Sequence, residues 1–273
     1  MTAARNLKFL RIGPLVLIVM LLCSFTYSKV IHVDNDAAGA NNGTSWFDAY
    51  NYLQDALADA NSAEKPVEIR VAKGTYRPNQ GFVAIPEYAI PEFNWRTTTF
   101  QLIDGVTLKG GYAGFSESDT NTRNIDVYES ILSGDLNGDD VEVADPCDLS
   151  DEPTRADNSY HVVTGSGTNA TAVLDGFTIC GGNANGSSPN LPDNKGGGMY
   201  NRYSSPTVIN CTFSGNSAGI GISGFGGGMC NDYSETTVTN CIFSGNWARG
   251  AGGGMYNMHG SPTFAVRHLN RHF

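Results

Sequence analysis

An all-β chain wound as a right-handed parallel β-helix, with a capping helix at its amino-terminal end, is the fold that three features of the sequence predict. The first is a repeat. Gly196-Gly197-Gly198-Met199-Tyr200-Asn201 recurs as Gly226-Gly227-Gly228-Met229-Cys230-Asn231 and again as Gly252-Gly253-Gly254-Met255-Tyr256-Asn257, at spacings of 30 and 26 residues. The second is a β-branched run in the same register, in which Thr207 to Asn216 matches Thr237 to Asn246. The third is periodicity. Cys211 and Phe213, like Cys241 and Phe243, share one strand face, and no apolar stripe runs at helical spacing.

A unit this short cannot bury its apolar face alone, so units must stack. Stacking places Cys211 over Cys241 and Phe213 over Phe243, about 4.8 Å apart. Asn216 and Asn246 then fall at one turn, where stacked amides hydrogen-bond along the axis and asparagine tolerates a left-handed backbone. The glycine triplet suits a second corner, where φ is positive or a Cβ would strike the next unit.

The chain has 273 residues, 33 of them glycine, with 16% charged and 40% apolar residues. Disorder would need more charge and fewer apolar residues, and the strict period of collagen is absent. Lys and Arg number 17 against 27 Asp and Glu, for a formal charge of −10. That acidity repels phosphate backbones, so nucleic acid is not an expected partner. Anionic polysaccharide would be repelled too, unless calcium bridged the charges.

Residues 1–28 read as an export signal. Arg5, Lys8 and Arg11 form its basic start, Ile12 to Cys23 is apolar, and the small residues Thr26 and Ser28 take the −3 and −1 positions of a cleavage site before Lys29. The apolar run falls short of the roughly 20 residues that span a bilayer, so the mature chain is expected not to be an integral membrane protein. Cleavage removes three cations and no anion, and leaves a secreted, cell-surface or outer-membrane protein that is more acidic still. Cys147, Cys180, Cys211, Cys230 and Cys241 remain, an odd number, and without a CxxC pair zinc is not expected.

After the leader, residues 29–98 are expected to form a strand, the capping helix, a first coil and a loop. Val30 to Val33 is the strand. Ser45 and Asp48 form a carboxylate variant of the capping box, and Tyr50, Leu53, Leu57 and Ala60 place a helix from about Trp46 to Ala60. That helix would cover the open hydrophobic end of the stack. Glu68 to Val71, Thr99 to Leu102 and Val106 to Leu108 alternate as strands, and Pro78 to Arg96 reads as a long loop. Residues 99–263 are assigned to the coils. In the third repeat the pattern stops after Thr263, with Arg267 in the interior cysteine slot, so residues 264–273 are expected to be an aberrant tail from a truncated or shifted frame.

The glycine triplet with its methionine, followed by Phe213-Ser214-Gly215-Asn216, resembles the Gly-Gly and Phe-x-x-Asn repeats of the polymorphic outer-membrane protein family. It is also similar to secreted bacterial β-helix proteins of the pectin-lyase-like fold, which open with a strand, a capping helix and a turn like Ile69-Arg70-Val71 and Gly74-Thr75-Tyr76. Gly-Gly-Gly-Met stands where the first family has Gly-Gly-Ala and an aliphatic residue. The likeness covers about residues 172–263, with Ala172 to Ile179 as a degenerate coil. It implies a non-catalytic surface scaffold, adhesin-like or glycan-binding, whose partners are extracellular polysaccharide or cell-surface glycan. The alternative it implies is a carbohydrate-active enzyme of the pectate or pectin lyase type.

No catalytic set stands out. A lyase of this type needs a cationic base, and between residues 156 and 262 the cations are Lys195, Arg202 and Arg249. A glycosidase needs two facing carboxylates, and Asp157, Asp175, Asp193, Asp232 and Glu235 show no pairing in sequence. Asp135, Asn137 and Asp139 alternate as calcium ligands do, although Asp140 and Pro146 stand where a calcium loop has glycine and a carboxylate. Calcium is therefore the one metal expected. Tyr200 and Tyr256 recur in register as stacking residues or as an aromatic strip for sugar rings. His161 falls in an expected strand, Tyr160 to Val163, without a visible partner.

Overall fold

The structure, a computed structural model, describes residues 28–81, 94–187, 192–219, 223–265 and 268–269. The expected leader lies outside them except for Ser28, and Lys29 opens the first strand. Most of the regular structure among the described residues is short strand, arranged in four parallel sheets with a single α-helix. The largest sheet has seven strands, Lys29–Val33, Val67–Ala72, Val106–Tyr112, Val173–Asp175, Thr207–Ile209, Thr237–Thr239 and Thr263–Ala265. A six-stranded sheet runs from Gly74–Tyr76 through Ser130–Ser133, Thr178–Cys180, Thr212–Ser214 and Ile242–Ser244 to His268–Leu269. Five strands, from Phe100–Gln101 to Met255–Met258, make the third sheet, and Asn183–Ala184, Ser217–Ala218 and Trp247–Ala248 make the fourth.

In every sheet the strands lie in sequence order. From Met199 onward the chain visits the five-, seven-, six- and three-stranded sheets in turn, then returns one strand further along. Equivalent residues therefore stand in columns. Ile31, Ile69, Leu108, Leu174, Val208, Val238 and Phe264 are successive partners in one sheet. Tyr76, Leu132, Ile179, Phe213 and Phe243 are successive partners in another, and all five are buried. Phe213 and Phe243 stack at 4.8 Å with ring planes 3° apart, the separation that strand pairing imposes. Apart from Phe264, which is exposed, these side chains join into one hydrophobic core that also takes in Val33, Phe100 and the buried helix residues.

The corners follow from backbone chemistry. Gly196, Gly226 and Gly252 have φ of +64°, +67° and +69°, a region only glycine enters without strain. The next glycine is needed for space, since a Cβ on Gly227 would lie 2.1 Å from the Trp247 carbonyl oxygen. Asn216 and Asn246 are buried, and the Nδ2 of Asn216 donates to Oδ1 of Asn246 at 2.9 Å. The expected left-handed turn is displaced from them. It falls on Gly215 and Gly245 and on a second pair, Asn210 and Asn240, whose φ values are +54° and +55°. The buried asparagines serve as hydrogen-bond ladders, and the glycine before each takes the unfavourable φ.

Two expectations need correction. The helix spans Leu53–Ser62, not Trp46 to Ala60, with Leu53, Ala56, Leu57 and Ala60 on its buried face. Tyr50 is held by backbone bonds to His32 and Asp34, which keeps it extended beside the first strand. Ser45 and Asp48 do exchange hydrogen bonds, at 3.0 and 3.1 Å, but they close a turn that ends five residues before the helix begins, and Tyr52 at the helix N-cap gives no side-chain cap. Secondly, the strand expected at Tyr160 to Val163 is Val163–Thr164. Strand pairing continues past Thr263. Phe264 lies beside Val238, and the strand His268–Leu269 pairs with Ile242 and Phe243. Arg267 lies outside the described residues.

The described cysteines are thiols. Cys211 and Cys241 are buried one above the other, with the Cys211 amide donating to the Cys241 sulfur at 3.4 Å. Cys230 is buried in the five-stranded sheet, and Cys147 is exposed.

Candidate functional site

Between Gly134 and Asn158 the chain leaves the stack, and this segment stands beside the outer face of the six-stranded sheet to enclose a cleft of about 530 Å3. Its floor is a column. Ser133, Cys180, Ser214 and Ser244 are successive partners at outward strand positions. Gly181, Gly215 and Gly245 follow them at the edge, each with positive φ, and nothing lies within 4 Å of where a Cβ on Gly215 would stand. The floor is thus a flat strip of hydroxyls and glycine backbone.

The opposite side carries charge. Arg155 is 3% exposed, because Pro153–Ala156 forms a short 3-10 helix that turns its side chain inward. One terminal nitrogen contacts Oδ2 of Asp140 at 3.2 Å and the other donates to the Gly182 carbonyl at 2.9 Å, while Nε has no partner. Asn158, fully buried, also donates to Oδ2 of Asp140, at 2.8 Å, and Oδ1 of that carboxylate is unpartnered. Burial pushes the Asp140 carboxyl above its ordinary range and lowers the Arg155 guanidinium. The pair is desolvated and mutually compensated.

The residues expected to hold calcium sit at one end of this cleft, rearranged. Oδ1 of Asp135 accepts from the amides of Gly138 and Asp139 at 2.6 and 3.2 Å, and its Oδ2 accepts from the Asp140 amide at 3.3 Å. The loop has folded around the carboxylate. Asp135 and Asp139 come together as the alternation suggested, with oxygens of Asp135, Asp139 and Asp157 all within 4.8 Å of one another. Asn137 contributes its backbone amide, which donates to Asp157 at 3.1 Å. Asp157, nearly twenty residues on, replaces it in the cluster, and only the return of the loop could reveal that. Carboxylate oxygens at this separation suit a hard cation such as calcium, which takes six to eight oxygens, so the donor type fits and water would have to supply several of the ligands.

The other expected candidates are engaged elsewhere. Tyr200 is 4% exposed and stacks on His161 at 5.2 Å, and its partners one strand either way are Thr164 and Cys230. Cys230 interrupts the line between Tyr200 and Tyr256, so no strip forms there. His161 has partners after all, the Tyr200 ring and the Gly196 carbonyl at 3.0 Å, and burial lowers its pKa to about 4. Arg202 lies over the Tyr203 ring at 5.0 Å and 3.9 Å from Asp232, whose carboxylate is also approached by Lys195, His259 and the Tyr200 hydroxyl.

One aromatic column escaped the sequence reading. Tyr203, Tyr233 and His259 occupy equivalent corners with φ of +50°, +51° and +57°, and they stack at 5.2 and 4.4 Å with Tyr203 62% exposed. A signal existed, since each lies seven residues after the first glycine of its triplet. Their ring faces are turned to one another and their edges to water. Sugar rings stack on exposed aromatic faces, so this column fixes the repeats in register and offers little to a glycan.

No family model, no curated protein and no solved structure matches this chain. What it does must be argued from its own residues. Among the described residues no helix is long and apolar enough to cross a membrane.

Proposed function

We propose that this chain is an exported, non-catalytic surface scaffold wound as a right-handed parallel β-helix, whose cleft beside the six-stranded sheet binds glycan. The winding is supported by the constant order in which the chain visits its sheets and by the unbroken columns, of which Phe213 on Phe243 is the plainest. Export is supported by the basic, apolar and small-residue stretches of residues 1–28. The resemblance of the glycine and Phe-x-x-Asn repeats to surface proteins points the same way. Glycan binding is supported by one observation above the others, a concave cleft floored by hydroxyls and glycine rather than by aliphatic side chains.

A rival reading, a carbohydrate-active enzyme of the lyase or hydrolase type, draws support from Asp140, a carboxyl raised by burial inside a cleft that also holds Asp135. Against it stand the hydrogen bonds that occupy Asp135 with its own loop and the contacts of Arg155 and Asn158 with Oδ2 of Asp140, which leave only the buried Oδ1 of Asp140 unengaged. The test is to assay the purified chain, with calcium, for unsaturated or reducing-end products on a polysaccharide panel, and in parallel for retention on a glycan array. Retention without turnover is expected. Steady turnover lost in Asp140→Asn would overturn the non-catalytic assignment.

A further inference from the structure

The charge of the cleft says which glycans it takes, an inference that rests on the glycan-binding proposal. Three carboxylates, Asp135, Asp140 and Glu142, line it, against the single guanidinium of Arg155. A polyuronate would bring a regular row of negative charge into a site whose lining already carries an excess of two. Among the described residues that line the cleft Arg155 is the one cation, and it is 3% exposed and committed to Asp140. A neutral chain meets no such penalty, and the rest of the site is suited to it.

The hydroxyls of Ser214 and Ser244 recur one strand apart and can both donate and accept. The glycines beside them remove every Cβ from the edge of the floor, so a ring lies close to backbone. Val141, 57% exposed on the facing wall, gives apolar surface for the carbon-bound hydrogens of the ring. Arg155 lines this space while 3% exposed, held by Asp140 and the Gly182 carbonyl, so this wall is fixed by buried polar contacts.

We infer that the cleft binds an unbranched neutral glycan laid across successive repeats, and discriminates against polyuronates by charge. The experiment is calorimetric titration of the intact chain at low ionic strength, without divalent cations, with three oligosaccharides of equal length: a β-glucan, an N-acetylated glucosamine oligomer and an oligogalacturonate. One of the two neutral oligomers is expected to saturate and the oligogalacturonate is not. Ser214→Trp, which fills the floor, should weaken the neutral oligomer about tenfold or more. Glu142→Lys, which reverses one of the three carboxylate charges on the exposed wall, should let the oligogalacturonate saturate, in a variant whose circular dichroism and urea midpoint match those of the unaltered chain.

Tighter binding of the uronate by the unaltered chain would overturn the inference. So would neutral binding that is indifferent to Ser214→Trp in a folded variant, although glycan binding elsewhere on the scaffold would then survive. If none of the three bound and a glycan array were blank, the glycan-binding proposal itself would fall.

Discussion

The two halves of this molecule are built on the same columns but arrive at them differently. Past Met199 like stands on like, with Met on Met, Phe on Phe and Asn on Asn. Before Cys180 the seven-stranded sheet still sets Ile31 on Ile69, but the other columns hold unlike residues, Tyr76 on Leu132 and Phe100 on Val163. The inner face asks only for apolar volume at the right register, and many residues provide it. The polar ladders and glycine corners ask for one residue type, and these make the later half look repetitive. The earlier half spends its freedom on excursions from the stack, and the one from Gly134 to Asn158 makes the cleft.

The largest effect that could break this comparison lies in the glycines. Gly227→Ala would bring a Cβ to 2.1 Å from one carbonyl oxygen and 2.7 Å from another, all backbone. It should cost more than about 4 kcal/mol, enough to abolish a cooperative transition in urea followed by circular dichroism. Gly215→Ala meets nothing and bears only the strain of its +61° φ, so about 1 kcal/mol is expected. Equal losses at the two sites would show that corners, not close approach, govern the repeat.

Core truncation sharpens the same contrast. Phe213→Ala should cost about 3–5 kcal/mol and Leu132→Ala, in the same column of the earlier half, about 2–5 kcal/mol. Phe264, in a different column and 46% exposed, should tolerate alanine at less than about 1 kcal/mol. A near-neutral Leu132→Ala, measured by denaturant midpoint, would mean that the two halves do not share one core.

A pH effect is expected at their junction. His161 stays neutral in the folded chain down to about 4, against 6.5 for the ordinary group, so the unfolded chain binds the proton more readily. Its favourable contribution is complete above pH 6.5 and is lost as pH falls towards 4. The urea midpoint should decline across that window, and His161→Gln should flatten that part of the decline. An unchanged slope would mean that the ring is not held neutral.

The smallest expected effect belongs to calcium. Titration at millimolar calcium should release or absorb measurable heat, and Asp139→Asn or Asp157→Asn should remove it. An intact response in Asp157→Asn would return the site to the ligands suggested by alternation alone, Asp135, Asn137 and Asp139.

Much of the architecture was legible because stacking makes sequence and space periodic together. The Phe213 and Asn216 columns could be drawn from spacing alone, and so could the role of the glycine triplets. The helix start was misplaced because Ser45 and Asp48 form the right local hydrogen bonds in the wrong place, a turn that the first strand holds extended. The cleft was scarcely legible. Its acidic loop could be noticed, but Asp157 and Arg155 join Asp135 and Asp140 only after the excursion folds back, and no period links them.

By itself the sequence determined parallel stacking, the register of its later repeats, the small-residue corners and the chain's acidity. Each follows from local chemistry repeated at fixed intervals. Only the tertiary structure decided that Asp157 would replace Asn137 near Asp135, that Arg155 would be buried against Asp140, and that three corner aromatics would close their faces on one another. Those contacts join residues that no interval relates, and their energies depend on burial, which exists only once the chain has folded.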